Sequence, residues 1–317
     1  MKIAVTGGAG FIGSHIVRAY LDAGHDVVII DHLPQPLRHN IDTRAHFYNI
    51  DMHDRQLNAI LQQERPDLVS YHAGQLYDLI AAEQSSQAGD LQSLLNVLEG
   101  CVSAGVSKIV FASAGNNLYG ALDEDQLPVT EDAPLCSHHP HDVTKIASEW
   151  YVRNYTQQHG LKHTILRYAD VYGETESQYV HHPLTHFILM FAQQQAPIID
   201  GTGEEIRDAI FIDDVIRANL CVLERGDNET FNISSGRGST LNQLYRVVAT
   251  LLKSKLQPIH ISGRQDRDSS IVLDNSRART TLGWVPQMTL YDGIQEAMRR
   301  LHIEVEATVS EKAGSST

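Results

Sequence analysis

Three glycines near the N-terminus have the spacing of a phosphate-binding turn. Gly7, Gly10 and Gly13 lie between an apolar run at 2–5, which predicts a strand, and a segment whose apolar residues recur at helical spacing. Gly7 permits a tight turn, Gly10 lets backbone approach a diphosphate without a Cβ, and Gly13 lets the helix pack close to the strand. The first turn of that helix offers N–H groups and a partial positive charge to phosphates.

An acidic residue follows the second predicted strand. The apolar run 27–30 ends at Asp31, where a carboxylate accepts hydrogen bonds from an adenosine ribose and repels a 2′-phosphate. The glycine spacing, Gly-x-x-Gly-x-x-Gly, differs from the general Gly-x-Gly-x-x-Gly pattern. In this context it predicts a dinucleotide site that takes NAD in preference to NADP, and the alternative is a glycine-rich turn without a ligand.

Composition narrows the range of partners. The chain has 317 residues, of which 42% are hydrophobic, enough for one large α/β domain or a large domain with a small lobe. Its 25 basic and 39 acidic residues give a formal net charge of −14. This charge argues against nucleic acid or an anionic membrane as the main partner. An anionic substrate would need specific arginines to hold it against the field of the protein.

Cysteine usage and the termini favour a cytoplasmic location. The chain has three cysteines, far apart and in no metal-ligand spacing, as is typical of a reducing compartment. The first predicted strand starts at once, which leaves no room for a signal peptide, and no apolar run reaches membrane-spanning length.

Strand and helix patterns alternate through the first half of the chain. Predicted strands lie at 2–5, 26–30, 46–50, 67–71, 108–112 and 163–167, and predicted helices at 12–21, 54–64, 91–102 and 144–158. This alternation predicts a parallel, doubly wound sheet, and ligands bind beyond the carboxyl ends of such strands. The residues expected there, facing one cleft, are Asp31, Asp51, His72, Ser113 and Tyr168.

The pattern changes after Gly173. Short elements with more Pro and Gly predict a smaller substrate lobe at 174–303, interleaved with a cofactor domain at 1–173 that regains elements near 208–225. The polar stretch 304–317 predicts a disordered tail.

Several blocks, in order along nearly the whole chain, resemble the extended short-chain dehydrogenase/reductase family. They are similar to its NAD-dependent nucleotide-sugar epimerases and dehydratases of the UDP-glucose 4-epimerase kind, with a Rossmann-like fold. The blocks are TGGAGFIG at 6–13, YG at 119–120, LRY at 166–168, VYG at 171–173, GTGEEIRD at 201–208, FIDDV at 211–215, FNISSG at 231–236 and LGWVP at 282–286.

The resemblance implies the residues that hold NAD. These are Gly7, Gly10, Phe11, Ile12, Gly13, Asp31, His32, Asp51, Met52, His72, Ala73, Gly74, Lys145, Tyr168 and Val171. It also implies that Arg207 and Arg264 hold the diphosphate of a nucleotide-sugar, as guanidinium forks do, with Asp170 near the substrate. A surface salt bridge is the alternative for each arginine. The family further implies a homodimer formed through two long helices, one of them carrying Lys145.

The family's catalytic pattern is broken at two positions. There, a tyrosine four residues before the lysine takes the hydroxyl proton while hydride leaves the same carbon, and a serine or threonine four residues before the Tyr-Gly pair binds the same oxygen. Lys145 is present, but His141 occupies the tyrosine position and Gly115 the Ser/Thr position. The missing hydroxyl could be replaced by Ser113, Asn116 or Asn117, or its space could suit another substrate.

His141 has three interpretations. Imidazole, with an ordinary pKa of about 6.5, can act as acid and base near neutrality, although a neighbouring Lys145 ammonium makes it a weaker base. His141 could instead bind substrate without moving protons, or remain in a protein that has lost catalysis. The histidines at 138, 139, 141, 181, 182 and 186 lack a clear ligand set, so we interpret them as loop histidines and predict no metal.

The sequence therefore supports three functions. The first is an NAD-dependent epimerase or dehydratase of a nucleotide-sugar that uses His141 and Lys145, with Ser113 and Asn116 as further catalytic candidates. The second is an NAD- and nucleotide-binding protein without turnover. The third is an oxidoreductase or lyase acting on another phosphorylated or nucleoside-like substrate.

Overall fold

Apolar runs rich in β-branched residues form one large parallel sheet. The structure, a computed structural model, describes residues 1–32, 40–74, 87–116, 118–120, 122–136, 140–174, 183–261 and 270–303, except for the side chains of 87–89, 140 and 141. The predicted tail at 304–317 lies outside these residues. The sheet's strands are β1 (Lys2–Thr6), β2 (Asp26–Asp31), β3 (His46–Asn49), β4 (Leu68–Tyr71), β5 (Lys108–Ala114), β6 (Lys162–Tyr168) and β10 (Glu229–Ile233).

The strand order confirms the predicted α/β, doubly wound fold. It runs β10-β6-β5-β4-β1-β2-β3, and every neighbouring pair is parallel. The order therefore reverses at β1, and the carboxyl ends of β1, β4, β5 and β6 adjoin one crevice, the position where such sheets bind ligands.

Helices cover both faces of the sheet. They are α1 (Phe11–Asp22), α2 (Gln56–Glu64), α3 (Gln87–Ala104), α4 (Pro140–His159), α5 (Pro183–Ala192), α6 (Ile212–Cys221), α7 (Leu241–Leu251) and α8 (Leu290–Arg300). Strand residues alternate between two cores. In β1, Ile3 and Val5 join the core beneath α1 and α6, whereas Ala4 joins the core beneath α2, α3 and α4.

The second half of the chain adds two small sheets. One contains β7 (Asp170–Tyr172), β9 (Ile206–Phe211) and β11 (Gly238–Thr240), and the other pairs β8 (Ile198–Asp200) with β12 (Ile259–Ile261). Strand β7 follows β6 after a single residue, so the small three-stranded sheet starts at the carboxyl edge of the large one. None of the helices in the described ranges is both long and apolar enough to cross a membrane.

Candidate active site

The glycine-rich turn brings three backbone segments into close contact. Gly7 has a φ of +68°, and a Cβ there would lie 2.6 Å from the backbone of His72 and Ala73. A Cβ on Gly13 would lie 2.1 Å from the carbonyl oxygen of Gly7. Only glycine fits at both positions. The turn therefore connects β1 to α1 while touching the end of β4.

The start of α1 is suited to an anion. Gly10 is its N-cap residue and provides no side-chain acceptor, and the first turn contains no acidic residue. The N–H groups at Phe11, Ile12 and Gly13 thus begin a helix whose positive end is not neutralised by its own side chains. This arrangement fits the diphosphate of a dinucleotide.

Asp31 lies where a ribose hydroxyl would be recognised. One carboxylate oxygen accepts the N–H of Ala9 at 2.9 Å, which ties the end of β2 to the glycine turn. Burial raises the pKa of Asp31, although backbone hydrogen bonds oppose the shift. Its other oxygen remains an acceptor for hydroxyl groups, and its charge disfavours a phosphate at the same place. His32 follows as an exposed residue.

The end of β3 adds a second acidic position. Asp51 accepts the N–H and the Nδ1 of His53, at 2.8 and 2.6 Å, and these hydrogen bonds hold its pKa below the usual value. Met52 is buried, and its carbonyl accepts the side-chain amide of Asn96 at 2.7 Å. Helix α3 thereby fixes the loop expected beside the adenine.

Lys145 lies at the carboxyl ends of β4 and β5. Its Nζ is 5.6 Å from the centre of the Phe111 ring and would be 4.0 Å from a Cβ on Gly74. Burial lowers the pKa of the Lys145 ammonium, and the carboxylate of Asp90 opposes that shift. The sequence-predicted residues at 72–74 and Lys145 are therefore brought together.

His72 is a neutral histidine in this crevice. Burial, aided by the Lys145 charge, lowers its pKa to about 3. Its Nε2 lies 2.9 Å from the hydroxyl of Ser70, and its ring is parallel to that of Tyr168 with centroids 6.5 Å apart. It is too weak a base to exchange protons at neutral pH.

His141 lies in the first turn of α4, four residues before Lys145. Residues at this spacing share a helix face. The helix begins at Pro140 rather than near Thr144 as the sequence analysis predicts, so both positions belong to one rigid element. The side chain of His141 lies outside the described part of the structure.

Ser113 has a partner within the protein. Its hydroxyl donates to Glu149 at 2.7 Å, and only 4% of the residue is exposed. Glu149 also receives two hydrogen bonds from Arg167, at 2.9 and 2.7 Å. Sequence analysis did not single out Glu149, although its position one turn after Lys145 was visible. Ser113 thus helps to hold the middle of α4 against β5 through Glu149.

Position 115, where the sequence analysis expects the serine or threonine of the family, is closed to a side chain. A Cβ on Gly115 would lie 2.4 Å from Cδ1 of Leu273 and 2.8 Å from the carbonyl oxygen of Tyr168, which also accepts the N–H of Gly115 at 2.7 Å. The next residue, Asn116, is 7% exposed, and its Oδ1 has no hydrogen-bond partner among the described residues. Leu273 and the backbone of Tyr168 therefore fill the space that a side chain at position 115 would enter.

The remaining predicted residues lie on the small three-stranded sheet or outside the residues that the structure describes. Asp170 and Val171 form β7 opposite Ala209 and Ile210, directly after Tyr168. Arg207 lies in β9 opposite Ser239, and Arg264 falls outside the described residues. No group of three His, Cys, Asp or Glu side chains in the described part could hold a metal ion, and positions 138, 139, 181 and 182 lie outside it.

This chain is similar to proteins of a known family over most of its length. The model of the NAD dependent epimerase/dehydratase family matches residues 3–234. A putative UDP-glucose 4-epimerase of Methanocaldococcus jannaschii is 34% identical over 299 residues, which cover 93% of this chain and 97% of the relative.

Solved structures agree over almost the whole chain. UDP-glucose 4-epimerase of Thermotoga maritima, solved with UDP-glucose, has a TM-score of 0.90 at 33% identity, covering 96% of this chain and 100% of that one. The Thermus thermophilus UDP-glucose 4-epimerase, in complex with NAD, has a TM-score of 0.86 at 28% identity, covering 95% and 99%.

Replacing Asp31 with alanine should weaken NAD binding about tenfold or more, because a charged acceptor for ribose hydroxyls is lost. The same change should improve the relative affinity for NADP by removing a repulsive charge. Titration calorimetry with both cofactors measures these affinities. The control is D125A, which removes an exposed carboxylate at a distant position in the chain. Unchanged affinities for both cofactors in D31A would contradict the assigned ribose site.

Introducing serine at Gly115 should destabilise the protein by about 1–3 kcal/mol, because the new Cβ overlaps Leu273 and the Tyr168 backbone. The changes G115S and L273A should be non-additive, since the second removes one of the two clashes. Denaturant unfolding of both single variants and the double variant measures the coupling. Strict additivity would show that Leu273 does not close this position.

Proposed function

We propose that this protein is a nucleotide-sugar 4-epimerase with an altered set of proton-transfer residues. The chain belongs to the NAD dependent epimerase/dehydratase family and uses NAD. The observation that carries this proposal is the placement of Lys145. It lies at the crevice between β4 and β5, on the helix that also carries His141. Besides holding the ribose, a buried ammonium there lies on the same helix face as position 141 and favours the neutral, proton-accepting form of an imidazole at that position.

The chemistry divides between cofactor and protein. When bound, NAD would supply the hydride chemistry, first as acceptor and then as donor at the sugar carbon. In the proposal, the imidazole of His141 accepts the proton of the hydroxyl on that carbon and later gives it back. Lys145 holds the nearby ribose and favours the neutral imidazole, the form that accepts a proton. Asp90 reduces the net positive charge around this pair, since its carboxylate acts on Lys145.

The substrate class follows from charge and from the relatives. A formal charge of −14 repels a diphosphate in general, so binding needs positive groups at fixed places. Arg207 lies on β9, which pairs with β7, the strand that directly follows β6 of the large sheet. The Thermotoga maritima relative is solved with UDP-glucose. We take a uridine diphosphate hexose as the substrate, with Arg207 and Arg264 at the diphosphate and Asp170 near the sugar.

One observation favours a second candidate, a protein that binds NAD and nucleotide without turnover. Leu273 helps to fill the space beside position 115, where the sequence analysis expects a hydroxyl of the family, and Ser113 donates its hydroxyl to Glu149. The proposed mechanism must therefore work with one fewer hydrogen bond to the reacting oxygen, or with Asn116 in that role. Turnover of a nucleotide-sugar separates the two functions.

The NAD-loaded protein should convert a UDP-hexose to its C4 epimer, without incorporation of solvent deuterium at carbon. Proton NMR of a nucleotide-sugar panel in heavy water measures this. Changing His141 to glutamine should reduce turnover about 100-fold or more, because a positioned acid–base group is removed. The matched control is H159Q, at the other end of the same helix.

Each other outcome has a definite meaning. Full activity in H141Q would remove His141 from the chemistry. No product across the panel, with UDP and NAD both raising the melting temperature, would contradict the proposed epimerase and favour the second candidate or a substrate outside the panel. A product that loses water or gains deuterium at carbon would replace epimerisation at C4 with dehydration or with proton abstraction beside a carbonyl.

We further propose that the protein is a homodimer that pairs α3 and α4. The two helices pack together and present apolar side chains to solvent. Val102 is 38% exposed, Val143 50%, Trp150 66% and Tyr151 40%. A patch of this kind on two adjacent helices is typical of a subunit interface. It would make α4, with Lys145, part of both the active site and the dimer.

Changing Trp150 to glutamate should produce a monomer, because a charge would enter the centre of the apolar contact. Size-exclusion chromatography with light scattering at micromolar concentration measures the mass. The control is Y291E, which changes an exposed aromatic residue on α8. A wild-type monomer, or a W150E dimer, would contradict the interface.

A further inference from the structure

His15 is held between two groups that can only accept hydrogen bonds. It lies on α1, one turn after Phe11, and is 13% exposed at its side chain. Its Nδ1 is 2.8 Å from the carbonyl oxygen of Phe11, and its Nε2 is 2.9 Å from Oε1 of Glu174. A carbonyl and an ionised carboxylate have no proton to give. Both contacts are hydrogen bonds only when both ring nitrogens carry a proton.

Glu174 is ionised in this arrangement. Arg300 donates to both of its carboxylate oxygens, at 3.0 and 3.3 Å. Burial alone would raise the pKa of Glu174, but His15 and Arg300 lower it to about 2. Arg300 is itself anchored by Asp213 on α6 and by Glu296 one turn earlier on α8. The carboxylate of Glu174 therefore acts as an acceptor towards both Arg300 and the ring nitrogen of His15.

The other end of the imidazolium acts on a peptide group of the cofactor site. The carbonyl of Phe11 and the N–H of Ile12 belong to the same peptide. That carbonyl accepts from His15 and also from the hydroxyl of Ser14, at 3.1 Å. Donation to a carbonyl polarises its peptide and strengthens the attached N–H as a donor. Ile12 lies in the first turn of α1, which has no side-chain cap.

A protonated His15 would place a positive charge near the N-terminal end of α1. A cation near the N-terminal end of a helix is opposed by the helix dipole. No acidic residue in the first turn of α1 compensates this positive charge. The compensating carboxylate is that of Glu174, 159 positions further along the chain. The arrangement is favourable when an anion lies at the helix N-terminus, because the imidazolium and the polarised N–H then act on it together.

We infer that His15 is a positioning residue for the diphosphate of NAD, held as an imidazolium by Glu174 and Arg300 and acting through the Phe11–Ile12 peptide. It does not touch the reacting atoms. The inference concerns binding of the cofactor and stands whether or not His141 transfers protons, so its test is independent of turnover.

Changing His15 to glutamine should weaken NAD binding about tenfold, the effect of one charge-assisted hydrogen bond. Adenosine, which has no phosphate, should bind within twofold of wild type. Titration calorimetry on the full-length, cofactor-depleted protein measures both ligands. The matched control is H46Q, which breaks another histidine–glutamate pair, between β3 and α2. Equal losses for NAD and adenosine would show a merely structural role, and no loss for NAD would also overturn the inference.

A spectroscopic measurement makes the inference independent of mutant folding. In the ¹⁵N-histidine-labelled protein at neutral pH, both ring nitrogens of His15 should show the shifts of an imidazolium. Exchanging Glu174 for glutamine, which leaves His15 in place, should convert them to a neutral tautomer and weaken NAD but not adenosine. A neutral His15 ring in the wild-type protein would refute the assignment.

Discussion

The buried ion pair between Arg167 and Glu149 fixes the geometry of the active site. Arg167 lies in β6 and Glu149 on α4, and their side chains are 3% and 0% exposed. The guanidinium meets the carboxylate with two hydrogen bonds, a geometry that defines both distance and orientation. Removing one partner of such a pair leaves an uncompensated buried charge and costs about 3–5 kcal/mol. Because Lys145 is one turn before Glu149, the pair also sets the position of the lysine over the sheet.

The same two residues connect parts of the chain that are distant in sequence. Arg167 donates to the hydroxyl of Tyr119, which donates in turn to Asn232 on β10. Ser113 donates to Glu149 from β5. Burial disfavours the ionised form of Glu149, yet Arg167 and the other donors hold its pKa below the ordinary value. Blocks that resemble the family at 119–120, 166–168 and 231–236 therefore form one network beneath the site.

The sequence predicts those features that depend on local spacing. The β1–turn–α1 unit, the acidic end of β2 and the parallel sheet follow from glycine positions and from apolar periodicity, which act within a few residues. Contacts between distant segments were not predictable. Nothing near Gly115 shows that Leu273 fills the adjoining space, and nothing near His15 identifies Glu174 as its partner. Helix α4 begins at Pro140, earlier than its apolar pattern suggests, because proline is favoured in the first helical turn where its missing N–H costs nothing.

The small sheet keeps a carboxylate away from the strand face that carries Arg207. Asp208 follows Arg207 on β9, but successive side chains of a strand point to opposite faces. Asp208 is fully buried and accepts from the N–H and hydroxyl of Ser235 and from the N–H of Gly236 and Leu273. Burial raises the pKa of Asp208 to about 6, although the hydrogen bonds that it accepts oppose this shift. Burial therefore disfavours the ionised carboxylate, and these hydrogen bonds stabilise it. The Asp208 carboxylate thus fixes the backbone of Leu273 on one face of β9. The side chain of Arg207 lies on the opposite face.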